Sequence, residues 1–568
     1  MVAQQAAAEV PVPTIRANTR LVLVDVVVTD KQGKPVQGLH PEDFVVEENG
    51  KKQKVSTFSS SQEAAKVAAA PALPTGIYSN RPEYRSPGGP VTVLLLDAIN
   101  TPFKDQAYAR SQMIKYVKEQ IKPGERIGVF TLTNSLNVLQ DFTSDPQALL
   151  AALQSYRPQE PVFGRAGGPA VTGGTGDAGG AAVAVIAAMA ASLRSFEGEQ
   201  VAYSLDRRVE ITLQSMRGLS RILGGIPGRK NILWLTAAFP FSLIPEDRNI
   251  SEAELIESLP NINQKGVGTH SAGSVAAAQR LSHSDEIRQA ATQLANAQVA
   301  IYPIDVRGLV SGAEATFQDL PSREDAAFTG GAIVRMSDVT ASQETMREMA
   351  RETGGRAYVN QNDIKEGVAL ALADDKASYT LGYYPENKKW DGKYRNIKVK
   401  LNRDGTEVRH RRGFFAIDPG QGKDKSKSDE QQVAEAITTA APATLVAFSA
   451  RVRSGAANQG GKGKVGVDFL VDAHTLSAED ASGGAKKVSA NFYAALFSGG
   501  KMINSQSFKV DTPLSPEDYQ QVLQHGLLFH ADLDPRPGTY ELRLAVRDNR
   551  TGYAGTTSAP LTVPLTVP

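Results

Sequence analysis

Four stretches of this chain are apolar on both alternating faces, and the spacing of apolar residues between them lengthens to that of helices. Val91 to Leu96 is apolar apart from Thr92 and stops at a carboxylate, Asp97. Such a run suits a strand buried on both sides, as inside a parallel sheet covered by helices. Arg126 to Leu132, Asn231 to Thr236 and Val299 to Ile304 have the same character. Lys104 to Ile121 places Ala107, Ile114, Val117 and Ile121 on one face, and Pro123-Gly124 stops it. Ser144-Asp145-Pro146 opens a helix through Leu153, and Arg207 to Leu223 carries a stripe of Val209, Leu213, Met216, Ser220 and Leu223. Helices over Ser284–Ala297, Gln343–Glu352 and Asp363–Ala373, a short edge strand at Asn137–Gln140 and a strand at Arg356–Val359 complete the series. The alternation predicts an α/β fold with a doubly wound, mostly parallel sheet.

The flanks read as all-β. Leu21 to Val28 is β-branched, and Glu42–Glu48 and Gln53–Phe58 surround Asn49-Gly50, a hairpin turn whose residues tolerate positive φ. After Ser378 come Tyr379–Tyr384, Arg395–Leu401 and Glu407–His410, expected as a three-strand meander. Neither flank makes a comfortable core alone, so the two are expected to join into one β-sandwich around an inserted α/β domain. The resulting organisation is a disordered tail (1–17), an N-terminal β module (18–60), a linker (61–90) and the α/β domain (91–375) with a Gly-rich insertion (157–200). A β meander (376–418), a charged linker (419–442) and a separate C-terminal β-sandwich resembling an immunoglobulin-like module (443–568) follow.

Composition narrows the functions. Basic and acidic residues nearly cancel, 62 against 61, which argues against a nucleic-acid binder or a polybasic membrane anchor. Cysteine is absent, so disulfides, thiolate metal sites and cysteine nucleophiles are excluded. No stretch approaches the ~20 apolar residues of a transmembrane segment. Residues 1–13 lack the regions of a signal peptide and read like a mature end after its removal.

Leu95-Leu96-Asp97-Ala98-Ile99-Asn100-Thr101 resembles the start of a von Willebrand factor type A domain, in the form of the bacterial branch called the VWFA-related acidobacterial domain. Pro227–Thr236, Ile301-Tyr302-Pro303-Ile304-Asp305 and Thr353–Tyr358 match the same branch, and the resemblance spans residues 15–418. It implies an exported protein, extracellular or periplasmic, and an adhesion site holding Mg²⁺ through oxygen ligands from three loops. Asp97 fits the first aspartate of that site and Thr101 its second hydroxyl. Ile99 stands where the first hydroxyl is expected, Thr236-Ala237-Ala238 where Thr-Asp-Gly is expected, and the middle threonine falls to Thr212 or Thr175.

Two readings of the strand ends stay open. Asp97 and Asp305, with Asn100 or Thr101 assisting, form the candidate metal set. Alternatively Asp97 caps the following helix or accepts backbone N–H groups, and Asp305 pairs with Arg307 or another arginine. Enzymatic signatures are poor: the seven histidines form no His-Glu-x-x-His pair, and neither a Gly-x-Ser-x-Gly elbow nor a Walker loop is present. Gly174–Gly179 formally matches Gly-x-Gly-x-x-Gly, but no strand precedes it. Glu47-Glu48 and Asp374-Asp375 are expected to be solvated, and His410-Arg411-Arg412-Gly413 a solvated basic strand end. The expected function is non-enzymatic binding of a protein or cell-surface partner through a degenerate adhesion site. Mg²⁺-dependent adhesion with altered ligands and a hydrolase under a Gly164–Leu193 flap are the alternatives.

Overall fold

The computed structural model describes residues 21–60, 73–81, 84, 91–121, 124–159, 203–204, 206–239, 290, 292–308, 327–361, 363–417, 429–438, 442–455 and 463–564. The expected tail, nearly all of the Gly-rich insertion with its flap and its Gly-x-Gly-x-x-Gly, and the start of the Ser284–Ala297 helix lie outside these residues.

Strands buried on both faces can only sit in the middle of layers, and that is where they lie. Val91–Asp97, Lys230–Thr236 and Val299–Asp305 are buried along their whole length. They belong to a five-stranded sheet in the order Val299–Asp305, Lys230–Thr236, Val91–Asp97, Arg126–Leu132, Leu136–Thr143. The first four run parallel and the fifth antiparallel, so the sheet is mixed. On one face Leu94, Leu96, Val129 and Leu233 pack against Met113, Val117, Leu149 and Val368 from the helices Phe103–Glu119, Pro146–Ser155 and Ile364–Ala373. On the other, Val93, Leu95, Ile232 and Trp234 meet Leu213, Met216 and Leu294 of helices over 206–223 and 292–296, and Met346 and Met349 of Ala327–Thr353. Burial of these apolar faces, at roughly 25 cal/mol per Å², is the main force assembling the three layers.

Two elements differ from expectation. The helix expected over Gln343–Glu352 already begins at Ala327. Apolar periodicity marks a helix only where a face is buried, here around Met346, Met349 and Ala350. The expected strand at Arg356–Val359 contributes a single parallel bridge, Tyr358 beside Ile304.

The flanking β segments, far apart in sequence, share two antiparallel four-stranded sheets. One has the order Thr406–His410, Val22–Asp30, Ser378–Tyr383, Val55–Ser60; the other Gly413–Phe415, Tyr394–Leu401, Phe44–Glu48, Lys51–Gln53. The expected meander is therefore not one: Ser378–Tyr383 and Tyr394–Leu401 lie in different sheets. The two sheets pack on each other, and Val24, Val26, Phe44, Tyr379, Leu381 and Val399 form the shared core. Asn49 and Gly50 take φ values of 47° and 79° in the turn between Phe44–Glu48 and Lys51–Gln53.

Of the carboxylate and basic pairs expected at the surface, Glu47 and Arg412 do reach it, but Glu48, Asp374, Asp375 and Arg411 are buried. Glu48 accepts from Arg395 Nη1 at 3.1 Å and from Tyr383 Oη at 2.8 Å. Asp374 takes both terminal nitrogens of Arg409 and the Tyr302 hydroxyl, and Asp375 accepts from Asn231 Nδ2. Arg411 is buried with Phe414 under its guanidinium and Nη2 donating to Leu23 O. Asp374, Asp375 and Arg411 lie at the junction of the sandwich with the α/β unit, where the turn after Ile364–Ala373 enters Ser378–Tyr383, whereas the partners of Glu48 all belong to the sandwich. Local polarity could not reveal that.

The C-terminal residues form two antiparallel sheets on a common core that includes Phe448, Phe469, Phe492, Leu544 and Val546. Both flanking linkers take part. Ile77–Ser79, within the expected linker 61–90, pairs with Phe448–Gly455. Asp429–Thr438, within the expected charged linker 419–442, is a helix whose Val433 and Ile437 pack on Tyr493, Phe497 and Ala545. Nor does this unit stand separate from the α/β unit. Thr444 N donates to Arg221 O at 2.8 Å, and Gly225 N donates to Thr444 Oγ1 at 2.8 Å. A Cβ on Gly225 would lie 1.9 Å from Thr444 O, so only glycine admits this approach. Among the described residues no helix is long and apolar enough to cross a membrane.

Candidate functional site

The site lies where the parallel strands end. In an open parallel sheet the carboxyl ends of the strands border a crevice. The chain leaving Val91–Asp97 is held there by its own backbone, with Ala98 N and Ile99 N donating to Leu132 O at 2.8 and 3.2 Å.

Asp97, only 2 % exposed, is bonded on both oxygens. Its Oδ1 accepts from Asn100 N at 3.0 Å; its Oδ2 accepts from Asn100 Nδ2 at 3.0 Å and Trp234 Nε1 at 2.9 Å. Burial pushes the carboxyl above the usual aspartate range. The Asn100 and Trp234 donors pull it back, and the Thr236 hydroxyl adds least. The carboxylate therefore ties a turn rather than the next helix: Phe103–Glu119 begins after Pro102 with no side-chain cap.

Asn100 links this turn to the 206–223 helix. Its Oδ1 accepts from Arg208 Nε at 3.0 Å, and its Nδ2 lies 3.4 Å from Thr212 Oγ1. The Thr212 hydroxyl donates to Arg208 O at 2.7 Å. Thr101 Oγ1 accepts from Ala237 N at 3.1 Å, joining the loops after two adjacent strands. Gln106 braces the rim from beneath: its Nε2 donates to Ala98 O, Thr101 O and Gln159 O, and its Oε1 accepts from the Tyr156 hydroxyl and Gln159 N.

Asp97, Asn100 and Thr101 are thus one cluster, and Asp305 is not part of it. Asp305 pairs with Thr236 across the sheet, so it stands on the same edge as Asp97, two strand spacings or roughly 10 Å away. Arg307 Nε and Nη2 grip it at 2.8 Å each, and Gln343 Nε2 donates at 3.1 Å. A bidentate arginine satisfies a carboxylate without any ion.

These side chains do not fit an octahedral oxygen cage. The main groups converging on Asp97 are the N–H donors of Asn100 and Trp234, with the Thr236 hydroxyl the least of them, and N–H donors complement a carboxylate rather than a hard cation. Ile99 is buried where a hydroxyl ligand is expected, and Ala237 offers only its backbone. Among the described residues no three carboxylate or histidine side chains are grouped to hold a metal.

Trp234, Arg208 and Gln106 escaped the sequence reading. Trp234 reads as core, yet a buried indole N–H needs an acceptor, and the neighbouring strand carries Asp97. Arg208 and Gln106 sit on helices whose apolar stripes gave no hint of which polar residues turn toward the rim.

No family model matches the chain, and no curated protein does. Similar solved structures include an aerotolerance-related membrane protein from Bacteroides fragilis, 12 % identical with a TM-score of 0.22, covering 51 % of this chain and all of that one. The conserved hypothetical protein BatB from Bacteroides thetaiotaomicron has the same identity and TM-score, over 51 % of this chain and 98 % of its own. Proximal thread matrix protein 1 from the mussel byssus is 10 % identical with a TM-score of 0.21, over 51 % and 48 % of the two chains. At these scores the likenesses carry no argument about function, and the site's chemistry rests on its own residues.

Proposed function

We propose that this chain is an exported, non-enzymatic binding protein. A von Willebrand type A-like unit presents the rim at the carboxyl ends of its parallel strands to a protein or cell-surface partner, without a metal ion. Export is inferred from the sequence resemblance. The observation that carries the metal-independent reading is that both oxygens of Asp97 already accept N–H donors, three in all, from Asn100 and Trp234. The rim also bears the kind of side chain that anchors interfaces. Phe103, at the head of the helix that follows Thr101, is 45 % exposed, and Tyr203, just ahead of Arg208, is 63 % exposed.

Photo-crosslinkers placed at Phe103 and Tyr203, with Lys398 on the sandwich as control, test this in a native cell-surface extract. The expected result is a discrete adduct at the two rim positions that persists in EDTA. Adducts that require Mg²⁺ would replace the reading with cation-dependent adhesion, and adducts at Lys398 alone would remove the rim from consideration. In parallel, calorimetric titration with Mg²⁺ and Mn²⁺ is expected to give no binding heat.

A further inference from the structure

A groove of about 360 Å³ opens on the outer face of the C-terminal unit, across Lys486–Ser498 and its neighbours Ala478–Asp480 and Lys501–Leu514. Val488 and Ala490 turn into the core, so the alternate Lys487 and Ser489 face outward. Glu479 pairs with Lys487 on one side, and Asp511 pairs with Ser489 on the other. The floor is held rigidly. Asp548, fully buried, accepts from Ser477 N at 2.6 Å, Ser477 Oγ at 2.9 Å, Arg550 N at 2.8 Å and Thr551 N at 3.2 Å. Asn549 Nδ2 donates to Ser489 Oγ at 3.1 Å and to Asn491 Oδ1 at 2.9 Å. Two loops and a strand are thereby fixed around one opening.

We infer that this groove binds a neutral carbohydrate through adjacent hydroxyls. Its charges come as two ion pairs that cancel: Lys487 Nζ lies 3.1 Å from Asp511, and Arg550 Nε lies 3.3 Å from Glu479. An anion entering the groove would face both carboxylates, and a cation would face both basic groups. A zwitterion would have to part each pair to use it. A pair of neighbouring hydroxyls parts nothing, because every hydroxyl both donates and accepts. One O–H bonds the carboxylate while the next oxygen accepts from the ammonium or guanidinium, and bonds to charged partners are the stronger kind. The two serines add the same mixture. Ser489 Oγ accepts from Asn549 and keeps its own hydrogen to give, whereas Ser477 spends its hydrogen on Asp548 and can only accept. No aromatic ring borders the groove among the described residues, so a sugar is held by its hydroxyl edge rather than its face. This site belongs to a different unit from the rim and does not depend on the rim reading above.

Saturation-transfer difference NMR on the full chain tests this, with oligosaccharides of glucose, galactose and mannose as the probes. At least one should show transfer to its ring protons at millimolar concentration, the range expected where a ligand replaces water at an open polar site. Glu479→Ala and Asp511→Ala should each weaken binding roughly ten-fold. Both side chains are exposed, so neither change should move the melting temperature. No transfer to any of the probes overturns the proposal, as does binding that both variants retain. Displacement of the bound sugar by glycine or inorganic phosphate also overturns it, because the groove would then be reading charge.

Discussion

Removing the Asp97 carboxylate would leave the Trp234 indole and two Asn100 N–H groups facing nothing in a dry setting. Asp97→Ala is expected to cost on the order of 3 kcal/mol in urea unfolding, since each stranded buried donor is expensive. Asp97→Asn keeps one acceptor oxygen and should lose about half as much on the same basis. Equal losses would show that the Trp234 bond contributes nothing. Two other buried groups set a pH response. Burial lowers the Lys230 ammonium to about 7, against the pull of Asp25, while its Nζ donates to Ile226 O at 2.7 Å. Burial raises the Asp375 carboxyl to about 7, against Arg229 and the Asn231 bond. The folded state holds the Lys230 proton more weakly than the unfolded chain, so its penalty is full below pH 7 and fades toward ~10.4. It holds the Asp375 proton more strongly, so that penalty is absent below ~3.9 and full above pH 7. From these two groups alone stability has its minimum near neutrality. Lys230→Met should flatten the alkaline rise in melting temperature and Asp375→Asn the acid rise; a variant with unchanged slopes would remove that residue from the account.

Among elements, the parallel strands were legible because a strand apolar on both faces has few places to go, and Val91–Asp97, Lys230–Thr236 and Val299–Asp305 are buried end to end. The polar turn after Asp97 was legible for the same reason, as carboxylates do not extend core strands. Partners were harder to read. Alternation in Tyr394–Leu401 shows one buried face without naming the sheet that covers it. Ile77-Tyr78-Ser79 is too short to show any period at all, yet Asn80, beside it, is fully buried. Its Nδ2 donates to Ala443 O and Val446 O at 2.9 and 2.8 Å, and its Oδ1 accepts from Phe448 N at 2.9 Å. Asn80→Ala strands the Phe448 N–H and takes a donor from Val446 O, while Ala443 O keeps Thr556 N, and should lower stability by about 1–3 kcal/mol. Hydrogen exchange should place the loss at residues 443–450; faster exchange in Val91–Asp97 instead would show that Asn80 supports the wrong unit.

For the molecule as a whole, the sandwich closes only when Val22–Asp30 finds Ser378–Tyr383 and Thr406–His410 from the far side of the α/β unit. Contacts so distant in sequence form late, because the loop must be closed before they contribute. Pulse-labelled refolding should therefore protect Val22–Asp30 and Ser378–Tyr383 in one shared phase, after Val91–Asp97; early protection of Val22–Asp30 alone would contradict this. The same lacing appears at the other end, where Ile77–Ser79 is borrowed by a domain that otherwise starts hundreds of residues later. As a heritable module that domain is split in two: a recombination event carrying only residues 443–568 into another gene would deliver a sandwich short of one border strand. A free peptide spanning residues 73–81, supplied in trans, would be the piece to complete it.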